Sequence, residues 1–190
     1  MKITYNILKD LLRKELPNTT HLKKIKGIEY MLVRQAEKES SLEIYAERYE
    51  SHIRDSSAGI YQLLKGTMRW LGFVPKSEFE YFFPEIQVEY ALKYLDKLYS
   101  EFPEIHNPTE RLRMAIASYN CGKANINKML KKYRALEEIH YEAENTIQGK
   151  WATYEGAIKM AEKYGILAPH NISINKRYIK YITEGDENNV

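Results

Sequence analysis

The chain opens with Ile3, Ile7, Leu8, Leu11 and Leu12 at helical spacing, interrupted by Lys9, Asp10, Arg13 and Lys14. This reads as an amphipathic helix, closed by Pro17 and the Asn18-Thr19-Thr20 stretch. The interrupting charges break up the apolar core that a secretory signal needs, so none is expected at Met1. A second stripe, Ile25, Ile28, Leu32 and Ala36 followed by Glu39, predicts a helix over 22–40 with Thr20 as its cap. Residues 41–56 keep no sustained period and read as a loop with one turn of helix, of a length that usually has a function. A helix over 58–70 follows, ended by Gly72 and Pro75. Phe79, Tyr81, Phe82 and Phe83 precede Pro84 as an irregular aromatic segment expected to lie under the next helix. Further helices are predicted over 85–102, 109–119, 124–133, 150–164 and 174–182, with Pro103, Pro108, Gly122, Gly165 and Pro169 as punctuation and a frayed end over 184–190. No segment alternates with period two for long, and no segment recurs as a repeat. The expected class is therefore all-α, with little or no sheet.

Composition narrows the reading further. The 190 residues are 44% hydrophobic and 29% charged, enough for one sizeable core and a single domain over 1–190. No run of about 18 apolar residues is present, so no transmembrane helix is expected. The net charge of +3 is mild and unclustered, which gives no footprint for nucleic acid. Cys121 has no partner cysteine for an internal disulfide, and the five histidines lack zinc-ligand spacing. Neither a metal nor another cofactor is expected, and Cys121, with no histidine at a telling position, reads as a buried thiol. The 16 tyrosines offer flat faces with polar tips that suit sugar rings or peptides. Ordinary packing at helix surfaces accounts for them equally well.

Glu39 is the residue with the clearest chemistry. It shares a face with Ile25, Ile28, Leu32 and Ala36, at the C-terminal end of its helix. Loss of water on the apolar side and the negative end of the helix dipole would both favour the protonated carboxyl. A protonated carboxyl is what a general acid needs to release a glycosidic oxygen. The plainer alternative is a helix-end glutamate that turns to solvent or pairs with Arg34 or Lys38.

The segments KESSLEIYAERYES at 38–51, SAGIYQLLKGTMRWLG at 57–72 and AIASYNCGKANI at 115–126 together resemble the soluble lytic transglycosylase and goose-type lysozyme family. In that family a Glu-Ser pair ends a helix, a Gly-Leu-Met-Gln motif opens the next, and an Ala-Tyr-Asn motif closes a later one. Three motifs in the family's order are more specific than any one of them. The resemblance covers residues 22–133 well and 134–190 weakly. It implies a lysozyme-like helical domain with a substrate cleft, acting on peptidoglycan glycan strands as a monomer in the cell envelope. The export route is left open among a phage-type lysin (an endolysin), a component of a secretion machine and a truncated chain.

By the same resemblance Glu39 is the catalytic acid and base, followed by Ser40. Gly59, Tyr61 and Gln62 fall on the Gly-Leu-Met-Gln motif, with Tyr61 in place of methionine. Gly59 would let the backbone approach a sugar, Tyr61 would present a broad face to the groove, and the Gln62 amide would meet an acetamido or hydroxyl group. Tyr119 and Asn120 fall on the Ala-Tyr-Asn motif, with Ser118 in place of alanine. The Tyr119 ring continues the stripe of Leu112, Ala115 and Ile116 and would be buried with its hydroxyl towards the cleft. Tyr178, within Arg177-Tyr178-Ile179, resembles a segment that returns to that cleft.

The resemblance leaves two reactions open. Lytic transglycosylases use one glutamate to protonate the bond between N-acetylmuramic acid and N-acetylglucosamine, then close the muramic 6-hydroxyl on C1 to give a 1,6-anhydro sugar. Goose-type lysozymes, muramidases that hydrolyse the same bond, hold a water with further carboxylates. Asp55 and Glu50 are the candidates here, with Glu43 and Glu47 in the same loop. The separation of Glu39 from Gln62 is nearer the goose-type spacing, yet the transglycosylase route is the favoured expectation. A non-catalytic helical module binding glycan or protein, or an inactive relative that only binds glycan, would share the same composition.

Overall fold

A computed structural model describes residues 1–131, 158, 159, 162 and 169–184 of the chain. Most of the helix expected over 150–164 lies outside the described residues. The chain divides into two compact units, Met1–Lys97 and Leu98–Glu184, with the division inside one helix. The described part is mostly α-helical with a small sheet, so the expected class holds.

In the first unit, α1 (Tyr5–Glu15) starts at Thr4, whose hydroxyl accepts the Ile7 amide, and buries Leu8 and Leu12. It packs on α2 (Ile28–Ser40), which buries Ile28, Leu32, Val33, Gln35 and Ala36. The Tyr5 hydroxyl donates to Glu37. Burial and that bond push the phenol up to about 12. Helix α2 begins later than its sequence stripe suggests. Residues Leu22–Lys24 form a 3-10 turn instead, and Gly27 at φ 75 redirects the chain into the helix. Thr20 does not cap α2: its amide, with those of His21 and Leu22, donates to the Asp96 carboxylate.

After α2, Ser41 and Leu42 both adopt left-handed backbone, at φ 54 and 64. Such residues persist only where surrounding contacts enforce them. Here Leu42 is buried and its carbonyl accepts the Ile3 amide at 3.0 Å.

Part of the segment read as a loop, together with the start of the helix expected over 58–70, forms an antiparallel sheet of three strands in the order β1-β2-β3, made of β1 (Glu47–Glu50), β2 (Asp55–Ala58) and β3 (Leu63–Leu64). Its register runs from Glu47 opposite Ala58 to Glu50 opposite Asp55, with Ser57 opposite Leu64. Strand β1 buries no residue, so it has no apolar alternation to betray it. The helix expected over 58–70 shrinks to α3 (Lys65–Trp70). Residues 59–62 form the β2–β3 turn, because Gly59 at φ 73 and Gln62 at φ 47 cannot continue a right-handed helix. The apolar spacing of Ile60, Leu63, Leu64 and Met68 imitated a helix because a buried turn and a short strand both face the core.

Within the aromatic segment, a 3-10 turn over Glu78–Phe82 buries Tyr81 and Phe82, while Phe79 and Phe83 stay exposed. Lys65 ties the sheet region to it, with Nζ 2.8 Å from Glu47 and 2.9 Å from Glu78. Burial alone would lower this ammonium's pKa, but the two carboxylates outweigh it and the net direction is up. Helix α4 (Pro84–Ser100) completes the unit and carries Gln87, which is fully buried.

The second unit contains α5 (Pro108–Cys121), α6 (123–131) and α7 (Pro169–Glu184). The side chain of Asn107 caps α5 by accepting the amides of Thr109 and Glu110. Helix α5 packs against α7, whose Tyr178, Ile179 and Ile182 are buried. Pro169 begins α7, where the sequence suggested a stop, as proline fits the first turn of a helix.

Candidate active site

Glu39 stands one residue before the end of α2 and is half-buried. The turn that follows in space, though not in sequence, is fastened to this helix end by its neighbour. The Ser40 hydroxyl lies 2.9 Å from the Ile60 carbonyl and 3.2 Å from the Ala36 carbonyl. A hydroxyl has one proton, and the shorter contact is to the turn. The Tyr61 hydroxyl adds a second fastening by donating to the Leu32 carbonyl of α2 at 3.2 Å. The Glu-Ser pair and the Gly-x-x-Gln turn thus meet.

The turn's side chains are used differently from what the sequence suggests. Tyr61 is 0% exposed, so its ring fills the core and offers no face to a groove. Burial pushes its phenol well above the usual range. Gln62 spends one amide hydrogen on the Gly59 carbonyl of its own turn at 3.0 Å and the other on the Ala46 carbonyl just before β1 at 3.1 Å, and its Oε1 accepts the Ser57 hydroxyl at 2.9 Å. It sets the turn's shape and has no N–H left for an acetamido group. The close approach at Gly59 comes from protein: a Cβ there would lie 2.3 Å from Cδ of Gln87.

Gln87 is the site residue that the sequence reading missed. Its Oε1 accepts the Tyr61 amide at 3.1 Å, and its Nε2 donates to the Tyr81 carbonyl at 2.6 Å. The available signal was a polar residue at helical spacing from Ala91 and Leu95, on a stripe that is otherwise apolar.

Of the candidate second carboxylates, Asp55 accepts the Ser56 amide through Oδ1 and the Gly66 amide through Oδ2, both at 2.8 Å. It caps the first turn of α3 from across the sheet. A Cβ at position 66 would lie 2.6 Å from Asp55 Oδ2, so a side chain there would displace that carboxylate oxygen. Asp55→Ala is expected to lower stability by about 1 kcal/mol, the usual worth of a cap, read as a lower urea midpoint. Glu50 pairs with Arg48 at 2.6 Å at the end of β1, and His52 lies 3.9 Å from it.

In the second unit, Tyr119 and Asn120 fall in the last turn of α5 and are half-buried, while Tyr178 of α7 is buried. The Tyr119 ring is thus less covered than its stripe predicts. Ser118, where the motif has alanine, is 0% exposed with its Oγ unpaired. Cys121 is half-buried rather than buried. Among the described residues, no three His, Cys, Asp or Glu side chains gather where they could hold a metal ion. No helix among them is long and apolar enough to cross a membrane.

The transglycosylase SLT domain family matches residues 19–142, well over half of the chain, and the chain belongs to that family. Membership gives a lysozyme-like fold and an activity of the lytic transglycosylase type on peptidoglycan, which places its action in the cell envelope. No curated protein and no solved structure matches the chain.

Proposed function

We propose that the chain is a single catalytic domain, active as a monomer, that cleaves the β-1,4 bond between N-acetylmuramic acid and N-acetylglucosamine without water, and that Glu39 moves both protons. As an acid, Glu39 gives its proton to the bridging oxygen while the bond from that oxygen to muramic C1 breaks. As a base, it then takes the proton of the 6-hydroxyl while O6 bonds to C1. A 1,6-anhydro ring closes, no water is consumed, and Glu39 ends protonated.

The observation that carries this reading is the Ser40 hydroxyl on the Ile60 carbonyl at 2.9 Å, which joins the carboxyl-bearing helix end to the second family motif. A shared proton carrier must be held still relative to the sugar through two steps, and a helix end fastened to a buried turn supplies that. The resemblance assigns Tyr119, Asn120 and Tyr178 to binding or orienting the substrate.

The hydrolytic alternative needs a second carboxylate to activate water. Both oxygens of Asp55 accept backbone amides, and Glu50 is paired with Arg48. These engagements favour the route with one carboxylate. Digestion of purified peptidoglycan followed by mass spectrometry is expected to give anhydro-muramic ends. Reducing muramic ends, each heavier by one water, would establish hydrolysis instead.

A further inference from the structure

Gln35 lies in the middle of α2 and is only 1% exposed, yet its Nε2 has no hydrogen-bond partner. A buried donor left unpaired is destabilising by about 1–3 kcal/mol, and native proteins keep few of them. Nothing in the packing asks for an amide here: Ile28, Leu32 and Ala36 show that the buried side of this helix is otherwise apolar. The position is informative. Gln35 is four residues before Glu39, so the two side chains share one face of α2, a turn apart. Long side chains on a helix lean towards its N-terminus, and the Glu39 chain therefore leans over the turn that carries Gln35.

We infer that Gln35 is a positioning residue for Glu39, with its spare Nε2–H serving as the hydrogen-bond donor to the Glu39 carboxylate while that group is ionised between its two proton transfers. This deepens the proposed function and rests on Glu39 being the proton carrier. In the resting protein the donor waits unpaired. Once the proton has passed to the departing sugar oxygen, the carboxylate can accept from Gln35 and is held in one rotamer until the 6-hydroxyl arrives. The donor is too buried to meet the glycan itself, so it acts through Glu39.

Gln35→Met tests the inference, because it keeps length and burial and removes only the amide. Thermal midpoint, kcat and KM on peptidoglycan, and the 13C carboxyl resonance of Glu39 at a pH where that carboxyl is ionised, assigned by its loss in Glu39→Gln, are compared with the parent protein. The expected result is a midpoint equal to or above the parent's, kcat lower by about tenfold with KM within about twofold, and a displaced Glu39 resonance. Gln35→Leu should repeat the pattern if methionine packs poorly. A midpoint that falls in both variants would make the amide structural, and an unchanged kcat with an unmoved resonance would show that it does not reach Glu39. Either outcome overturns the inference. Failure of the parent protein to cleave peptidoglycan would instead strike the proposed function, and the resonance comparison would still report on the contact.

Discussion

Glu39→Gln is expected to reduce release of soluble muropeptides from purified peptidoglycan by about three orders of magnitude or more, since in the proposed mechanism one side chain serves as both acid and base and each role is worth about 10²–10⁴-fold. Glutamine keeps the length and shape of the side chain but cannot give up a proton in this way. Because Glu39 is only half-buried and lies in the last turn of its helix, the thermal midpoint should move by no more than about 2 °C. The combination of lost turnover with retained fold is the signature sought. Activity within tenfold of the parent would move the acid to another residue.

Gly59→Ala has the largest expected effect on stability. Two penalties coincide at this position. At φ 73 an L side chain costs about 1 kcal/mol in backbone strain. The new Cβ would also lie 2.3 Å from Cδ and 2.6 Å from Cγ of Gln87, a fully buried side chain held by two hydrogen bonds that a shift would disturb. Overpacking of that kind adds about 1–3 kcal/mol. A total near 3 kcal/mol would lower the thermal midpoint of a chain this size by roughly 6–12 °C. The steric part is separable by a double-mutant cycle with Gln87→Ala, which deletes the clashing atoms but leaves the Tyr61 amide and the Tyr81 carbonyl unpaired. The double variant should be more stable than the sum of the single effects by at least about 1 kcal/mol. Strict additivity would mean that Gln87 does not confine this glycine.

The helices with clean apolar stripes were legible from sequence because burial follows the 3.6-residue period: α1, α4 and α5 stand within a few residues of their expected spans, and α2 ends where expected though it starts later, after a 3-10 turn and Gly27. The sheet was hidden for a physical reason. Strand β1 has no core face, so solvent imposed no alternation on it, and β3 is two residues long. The turn at 59–62 was hidden for the opposite reason, since its apolar residues are buried at spacings that a helix would also produce.

The family motifs do not reveal what each side chain bonds to. Gln62 and Tyr61 sit where the motif places them, yet one is consumed by the turn and the other by the core. Local sequence could not reveal this, because their partners Ala46, Leu32 and Gln87 belong to other elements. Gln35 and Gln87 share the signal that does work from sequence alone, an amide interrupting an apolar stripe. Such an amide is kept against its desolvation cost only when it has a partner or a purpose.

The two bonds from Gln87 also govern when the site can exist. Its Oε1 locks a turn lying 26 residues earlier in the chain, and that turn holds the end of α2 through Ser40. A polypeptide emerging from the ribosome would therefore expose α2 and the strands well before the residue that secures them has been synthesised. Residues 59–62, with left-handed backbone at both ends, have little reason to hold their shape in that interval. The end of α2 therefore gains its fastening through the turn only after α4 has docked, so the nascent chain is built in an order that delays this arrangement until the first unit is nearly complete.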